Sequence, residues 1–169
     1  MKYAFDTNIF IDAYRSFYAM DIAPLYWKIL SKFIESNEFY LIDKVYNEIL
    51  RGKGALSDWI MNQSNIKVYK TNNSKDLLDK YRYVMNSVAS MPEYNEDAIK
   101  KWDDKDVADP WIISVALLEK STIVTHESRV FGGIRQESKK IKLPDVAKKL
   151  NIKCINLFEF MRKEKIIIK

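Results

Sequence analysis

One histidine, one cysteine and no long apolar run are the shortages that bound this chain. Cys154 has no second cysteine with which to form an internal disulfide. His126 has no second imidazole with which to share general acid and base work. The longest strongly apolar stretch, near Trp111–Leu118, is interrupted by Ser114 and is far too short to span a bilayer. Asp6 falls where an export signal would need its apolar stretch. There is no internal repeat and no low-complexity tract. The expectation from these absences is a cytoplasmic protein with no membrane partner.

The 169 residues are 47% hydrophobic and 30% charged, so they can bury a core, and a single domain over 1–169 is the simplest organisation. The net charge of +5 is unevenly spread. Residues 120–169 carry 13 Lys/Arg against 5 Asp/Glu, and residues 1–119 carry 15 against 18. A basic segment beside an acidic one suits a phosphate-rich ligand. Equally, Lys148, Lys149, Arg162 and Lys163 are what exposed helix faces need for solvation.

Residues 2–5, 39–42, 66–69, 122–125 and 152–155 read as short buried strands. Helical patterns lie between them: from about Asn8, through Leu25–Phe33, from Asp43 to Gly52, over Leu77–Val88, from Pro110 to Leu118, after Pro144, and over Leu157–Met161. Asp43 reads as a helix N-cap. The polar stretch Ser90–Asp104, with Pro92, reads as a loop or short insertion, and Gly132-Gly133 as a turn. Strands alternating with helices predict an α/β fold with a mostly parallel, twisted sheet covered by helices on both faces.

Ligands of such sheets bind beyond the carboxyl ends of the strands. Asp6 ends the first strand, and Glu127 lies just past the fourth. Glu48 and Asp109 reach the same region from helices. Four converging carboxylates repel one another and call for a cation, and all-oxygen ligation suits Mg²⁺ or Mn²⁺. Each acid also has a plainer reading. Asp109-Pro110 is a good N-cap and first-turn pair; Glu48 is spaced to pair with Arg51; Glu127 suits a turn. Only Asp6 resists, because a carboxylate ending a buried strand must be paired or functional. Tyr81, Tyr83 and Tyr94 could stack on unpaired bases, although most aromatic residues of a chain like this fill the core.

The local sequences around the acids are Asp6-Thr-Asn8 after the first strand, Val45-Tyr-Asn-Glu-Ile-Leu50, Asp109-Pro-Trp-Ile-Ile-Ser-Val-Ala116, and Thr125-His-Glu127. In that order and spacing the chain resembles the PIN-domain nucleases from end to end. The resemblance implies a PIN-like fold and an Mg²⁺- or Mn²⁺-dependent endoribonuclease whose metal ligands are Asp6, Glu48, Asp109 and Glu127. It implies that Thr7, Asn8 and Thr125 orient the carboxylates or hold metal-bound water, and that Asp106, one turn before Asp109, substitutes for it or supplements it. The fourth acid is Glu127 where aspartate is more usual, and the segment Thr71–Lys105 is longer than a minimal member needs. Leu143-Pro-Asp-Val146 and Cys154-Ile-Asn-Leu157 look like a subgroup associated with toxin–antitoxin pairs, which implies RNA as substrate, an antitoxin protein as partner and scope for a homodimer. Two other readings compete: an Mg²⁺-dependent phosphatase of the haloacid-dehalogenase type, disfavoured by Asn8 where a second aspartate belongs, and a non-catalytic binding module.

Overall fold

The structure, a computed structural model, describes residues 1–72, 74–127 and 140–169; the Gly132-Gly133 turn expected from the sequence lies outside them. Five short strands form one sheet: β1 Tyr3–Phe5, β2 Phe39–Ile42, β3 Val68–Tyr69, β4 Thr122–Val124 and β5 Cys154–Ile155. Their spatial order is β3-β2-β1-β4-β5 and every pairing is parallel. Parallel neighbours need crossovers, and helices supply them. The α/β architecture and parallel sheet flanked by helices implied by the sequence and by the PIN-domain resemblance are therefore present.

The helices are α1 Thr7–Asp12, α2 Pro24–Ile34, α3 Asp43–Arg51, α4 Ala55–Met61, α5 Lys75–Ala89, α6 Glu96–Trp102, α7 Asp109–Glu119, α8 Leu143–Lys149 and α9 Leu157–Lys163. A π-helical stretch, Ala13–Phe17, continues α1. Three of the central strand's residues, Tyr3, Ala4 and Phe5, are buried, so β1 reads as an unbroken apolar run and not as an alternating one. Phe5 meets Phe39 at 4.8 Å and Phe160 at 4.9 Å between ring centroids, both edge-on, which ties β1 to β2 and to α9. Helix α7 buries Pro110 and Ile112 through Ala116, so it has no polar face to periodise and lies inside the molecule against α5, β1 and β4. Near the amino ends of β1 and β4, Glu119 gathers Tyr40 Oη (2.8 Å), Tyr69 Oη (3.1 Å) and Lys2 Nζ (3.5 Å).

Two sequence expectations fail locally. Asp43 is not an N-cap: Ile42 holds that position, and Asp43 is the first helical residue. Its carboxylate instead accepts the Thr71 amide (3.2 Å) and hydroxyl (2.9 Å), clamping the end of β3 to α3. Sequence shows only the local bond a cap would make, not one 28 residues away. The stretch Ser90–Asp104 is not all loop, because it contains α6. The Asn95 side chain caps that helix on the Ala98 amide (2.9 Å), Glu96 and Asp97 occupy its first turn, and Lys100 and Lys101 its last. Its one-sided burial, Ala98 and Trp102 alone, is too sparse for a periodicity to register.

Thr71 is 3% exposed, so losing Asp43 strands two buried donors. Asp43→Ala should cost about 1–3 kcal/mol in urea unfolding. Combined with Thr71→Val, the two losses should fall short of additivity by about 0.5 kcal/mol or more. Strict additivity would show that the Asp43 and Thr71 side chains do not act together.

Candidate functional site

The chain runs outward from β1 to β2 and β3 on one side, then returns to place β4 and β5 on the other. Such a reversal opens a crevice at the carboxyl ends of the two strands flanking it, here β1 and β4. Asp6 stands at that end of β1, its amide bonded to Val124 O (3.0 Å). Thr125, His126 and Glu127 leave that end of β4.

Asp6 is 6% exposed and its Oδ2 is held by two donors, Asn8 Nδ2 (2.5 Å) and Thr125 Oγ1 (2.7 Å). Thr125 Oγ1 also accepts from Asn8 Nδ2 (3.1 Å) and from the Glu127 amide (3.0 Å), so its single proton goes to Asp6. Asn8 Oδ1 accepts the His126 amide (2.9 Å). Asn8 and Thr125 thus form one network that fixes the Asp6 carboxylate and the path of the chain leaving β4. Thr7, also buried, donates its hydroxyl to Glu48 Oε2 (2.6 Å).

Asp109 begins α7, but Ala108 occupies the cap position and the Asp109 side chain makes no capping bond. Its Oδ2 accepts Trp102 Nε1 (3.3 Å) instead. Glu48 does not pair with Arg51; that guanidinium binds Asp106 (3.0 Å) at the surface. The structure therefore places Asp106 on Arg51, half exposed, and not among the other acids. Glu127 has both oxygens engaged, Oε1 by Lys142 Nζ (2.9 Å) and Oε2 by the Leu143 amide (3.1 Å).

The electrostatics tie these acids together. Burial first, and then Asp109 and Glu127, push the Asp6 pKa up to about 7, against the hydrogen bond from Thr125 and the Thr7 amide. Enclosure in the cleft, then Glu127, raises Asp109 to about 6; Glu48 adds to this, while Trp102 and the Lys140 charge oppose it. Lys142 is raised, chiefly by its bond to Glu127. Asp6, Asp109 and Glu127 are brought together, with Glu48 at the exposed edge. Among the described residues, no three of His, Cys, Asp and Glu stand close enough to ligate one ion directly. The charges of Asp109 and Glu127 act on Asp6, and those of Glu127 and Glu48 act on Asp109.

Sequence reasoning missed Trp102 and Lys142. Trp102 sits in the helix read as a loop; the Asn95-Glu-Asp start and Lys100-Lys101 end were its available signals. Lys142 lies 15 residues from Glu127, and nothing local marks it. His126 lies in the segment leaving β4: its ring stacks on Phe17, its Nε2 is buried without a hydrogen-bond partner among the described residues, and burial lowers its pKa. Of the three tyrosines, Tyr81 stacks on Trp111 at 4.1 Å and bonds Asp103; Tyr94 packs on the core and Tyr83 is exposed.

Over residues 3–168 the chain matches a family described as a domain of unknown function, DUF4411, and it belongs to that family. No curated protein matches it by sequence. Among solved structures, the crystal structure of VapBC2 from Rickettsia felis bound to a DNA fragment from the promoter is similar in fold. The TM-score is 0.53 and the identity 16%, over 92% of this chain and 98% of that one.

A carboxyl whose pKa is higher folded than unfolded binds its proton more tightly when folded. Its stabilising effect is complete below about pH 4 and is lost as pH rises through about 6 for Asp109 and about 7 for Asp6. Melts in chelator should therefore show Tm falling between about pH 5 and about pH 8. Asp109→Asn should flatten that fall and raise Tm at the alkaline end by about 2–4 °C per kcal/mol of repulsion removed. Asparagine caps helices about as well as aspartate, so a capping Asp109 predicts no change.

Proposed function

We propose that this DUF4411 member is a metal-dependent endoribonuclease, acting as the toxin of a toxin–antitoxin pair. The observation that carries the reading is the pair Asp6 and Asp109 at the switch point of a parallel sheet. Both have pKa values raised by burial and by neighbouring carboxylates, Asp109 and Glu127 for Asp6 and Glu127 and Glu48 for Asp109, and each is held by a side chain of another element. Such a pair is stable only while protonated or while a cation lies between the charges.

The donor chemistry fits Mg²⁺ or Mn²⁺. Every candidate ligand is a carboxylate oxygen, which suits hard divalent ions. Their desolvation and their raised pKa values favour Asp6 and Asp109 as the direct ligands. Mg²⁺ usually keeps several waters, through which Glu48 and Glu127 are able to act. A bound ion supplies polarisation of a phosphoryl oxygen and a lowered pKa for an attacking water. The chain's own residues do the positioning. Asn8 and Thr125 fix Asp6, Trp102 fixes Asp109, Thr7 fixes Glu48, and Lys142 with the Leu143 amide fixes Glu127. Lys142 also sets a positive charge against an acidic cleft, where a diester phosphate approaches. The His126 Nε2 is covered and is not placed to act as a general base.

The phosphatase alternative needs a second acid at position 8. Asn8 stands there, and its amide is fully used in holding Asp6 and the His126 amide. A phosphoenzyme trapped on Asp6 would restore that reading. An antitoxin partner is proposed from the PIN-domain resemblance and from the fold shared with VapBC2. It would protect the cell from an unrestrained ribonuclease by covering the acidic cleft.

Asp6→Asn and Asp109→Asn should each lower Mn²⁺-dependent cleavage of RNA by about 100-fold or more, about 2.7 kcal/mol in barrier height, while folding normally. Cleavage by both variants at the wild-type rate would sink the assignment. Expression of the unaltered chain alone should slow growth and Asp6→Asn should not; equal growth at equal protein levels would remove the toxin reading and leave the nuclease.

A further inference from the structure

The geometry points to a base-stacking platform for unpaired nucleotides at the rim of the carboxylate site, formed by Phe17, His126 and Phe158. This rests on the ribonuclease reading and deepens it: it states that the substrate is single-stranded where it meets the protein, and where one of its bases lies.

The three rings come from three segments that each follow the carboxyl end of a strand. Phe17 ends the π-helical stretch after β1 and α1, His126 leaves β4, and Phe158 lies in the first turn of α9 after β5. They therefore gather at the same end of the sheet as Asp6. Phe17 stacks on His126 with centroids 5.3 Å apart and planes 27° from parallel. Phe158 stands edge-on to both, at 5.7 Å from Phe17 and 6.5 Å from His126. Neither phenylalanine belongs to the hydrophobic core; Phe17 is 48% exposed and Phe158 38%.

Scattered exposed apolar residues need no explanation. These are not scattered. They form an ordered stack whose inner member is tied to the site, because the His126 amide bonds Asn8, and Asn8 holds Asp6. The outer member is placed by a π-helical stretch, a conformation that is rare and concentrated at functional positions. An unpaired base has an open π-face to lay on Phe17. Bases within a duplex are stacked on one another and have none to offer. Because every base has such a face, the platform tolerates any base at that position. An apolar protein side chain would bury the same rings, but it has no need of parallel ring geometry running into the carboxylate site.

The test is fluorescence polarisation with the full chain in Ca²⁺. The probes are a single-stranded oligoribonucleotide about ten nucleotides long and a duplex of the same length. The single strand should bind more tightly. Phe17→Leu, which keeps apolar bulk and loses the ring, should weaken single-strand binding by about 5- to 150-fold, the range for one lost base stack. Phe17→Trp should restore it. A 2-aminopurine in the strand should be quenched by wild type and not by Phe17→Leu. Because Phe17 lies outside the core, the variants should melt as wild type does. Equal binding of single strand by wild type and Phe17→Leu overturns the platform, as does equal binding of duplex and single strand. Intact RNA binding by Phe17→Leu with loss of a co-expressed protein partner assigns the rings to a protein interface instead. Cleavage that persists with an unchanged KM in Phe17→Leu removes only the platform, whereas cleavage that survives Asp6→Asn and Asp109→Asn removes the nuclease reading beneath it.

Discussion

A carboxylate buried at the end of the central strand is the constraint to which the rest of the chain answers. Withdrawing an unpaired carboxylate from water costs several kcal/mol, so its surroundings must supply donors. For Asp6 they come from Asn8, two residues on, and from Thr125, 119 residues on. Thr125 is in reach only because β1 and β4 pair in parallel, with Phe5 opposite Val124. Slipping that register by one residue would turn Thr125 to the other face of the sheet and remove the hydroxyl donor from Asp6. Sheet register and carboxylate orientation are therefore a single property.

The same sheet handles acids in opposite ways at its two ends. Burial pushes the Glu119 pKa up, but hydrogen bonds from Tyr40 and Tyr69 and the Lys2 charge outweigh it and hold the group below its usual value. That glutamate is stabilised as an anion. Asp6 and Asp109 also receive hydrogen bonds, yet their neighbours include more acids, and their pKa values rise. A fold able to satisfy a glutamate at one end and leaving two aspartates in conflict at the other bears a local cost. Such costs concentrate where function requires them.

Much of this was legible. Strand β2 begins and ends where its residues predict, and the alternation of strands with helices dictates a parallel sheet. Asp6 was legible as well, since an acid closing an apolar strand has few structural explanations. What stayed hidden were the bonds made across the fold. Asp43 and Asp109 both stand at helix starts, where the local reading is a cap; in each the partner, Thr71 or Trp102, comes from another element. Glu48 and Arg51 are spaced as a helical ion pair, yet each has a better partner elsewhere, Thr7 and Asp106. Helix α6 stayed hidden because its capping and charge signals were not joined by an apolar stripe. In all these cases spacing along the chain supplied a plausible neighbour and tertiary packing supplied a stronger one.

The pairing of β1 with β4 has a consequence for how the chain comes into being. Tyr3 pairs with Thr122, and Asp6 waits for Thr125 across 119 residues of sequence. Glu127 is set by Lys142, later still. Contacts so distant form late, after the loops between them close. A ribosome making this chain from its amino end releases Asp6 well before Thr125, which holds it, and Glu127 before Lys142, which holds that acid. The acids cannot take up their mutual arrangement until synthesis has passed residue 142. Whatever the site does, the growing chain is exempt from doing it to the machinery that is making it.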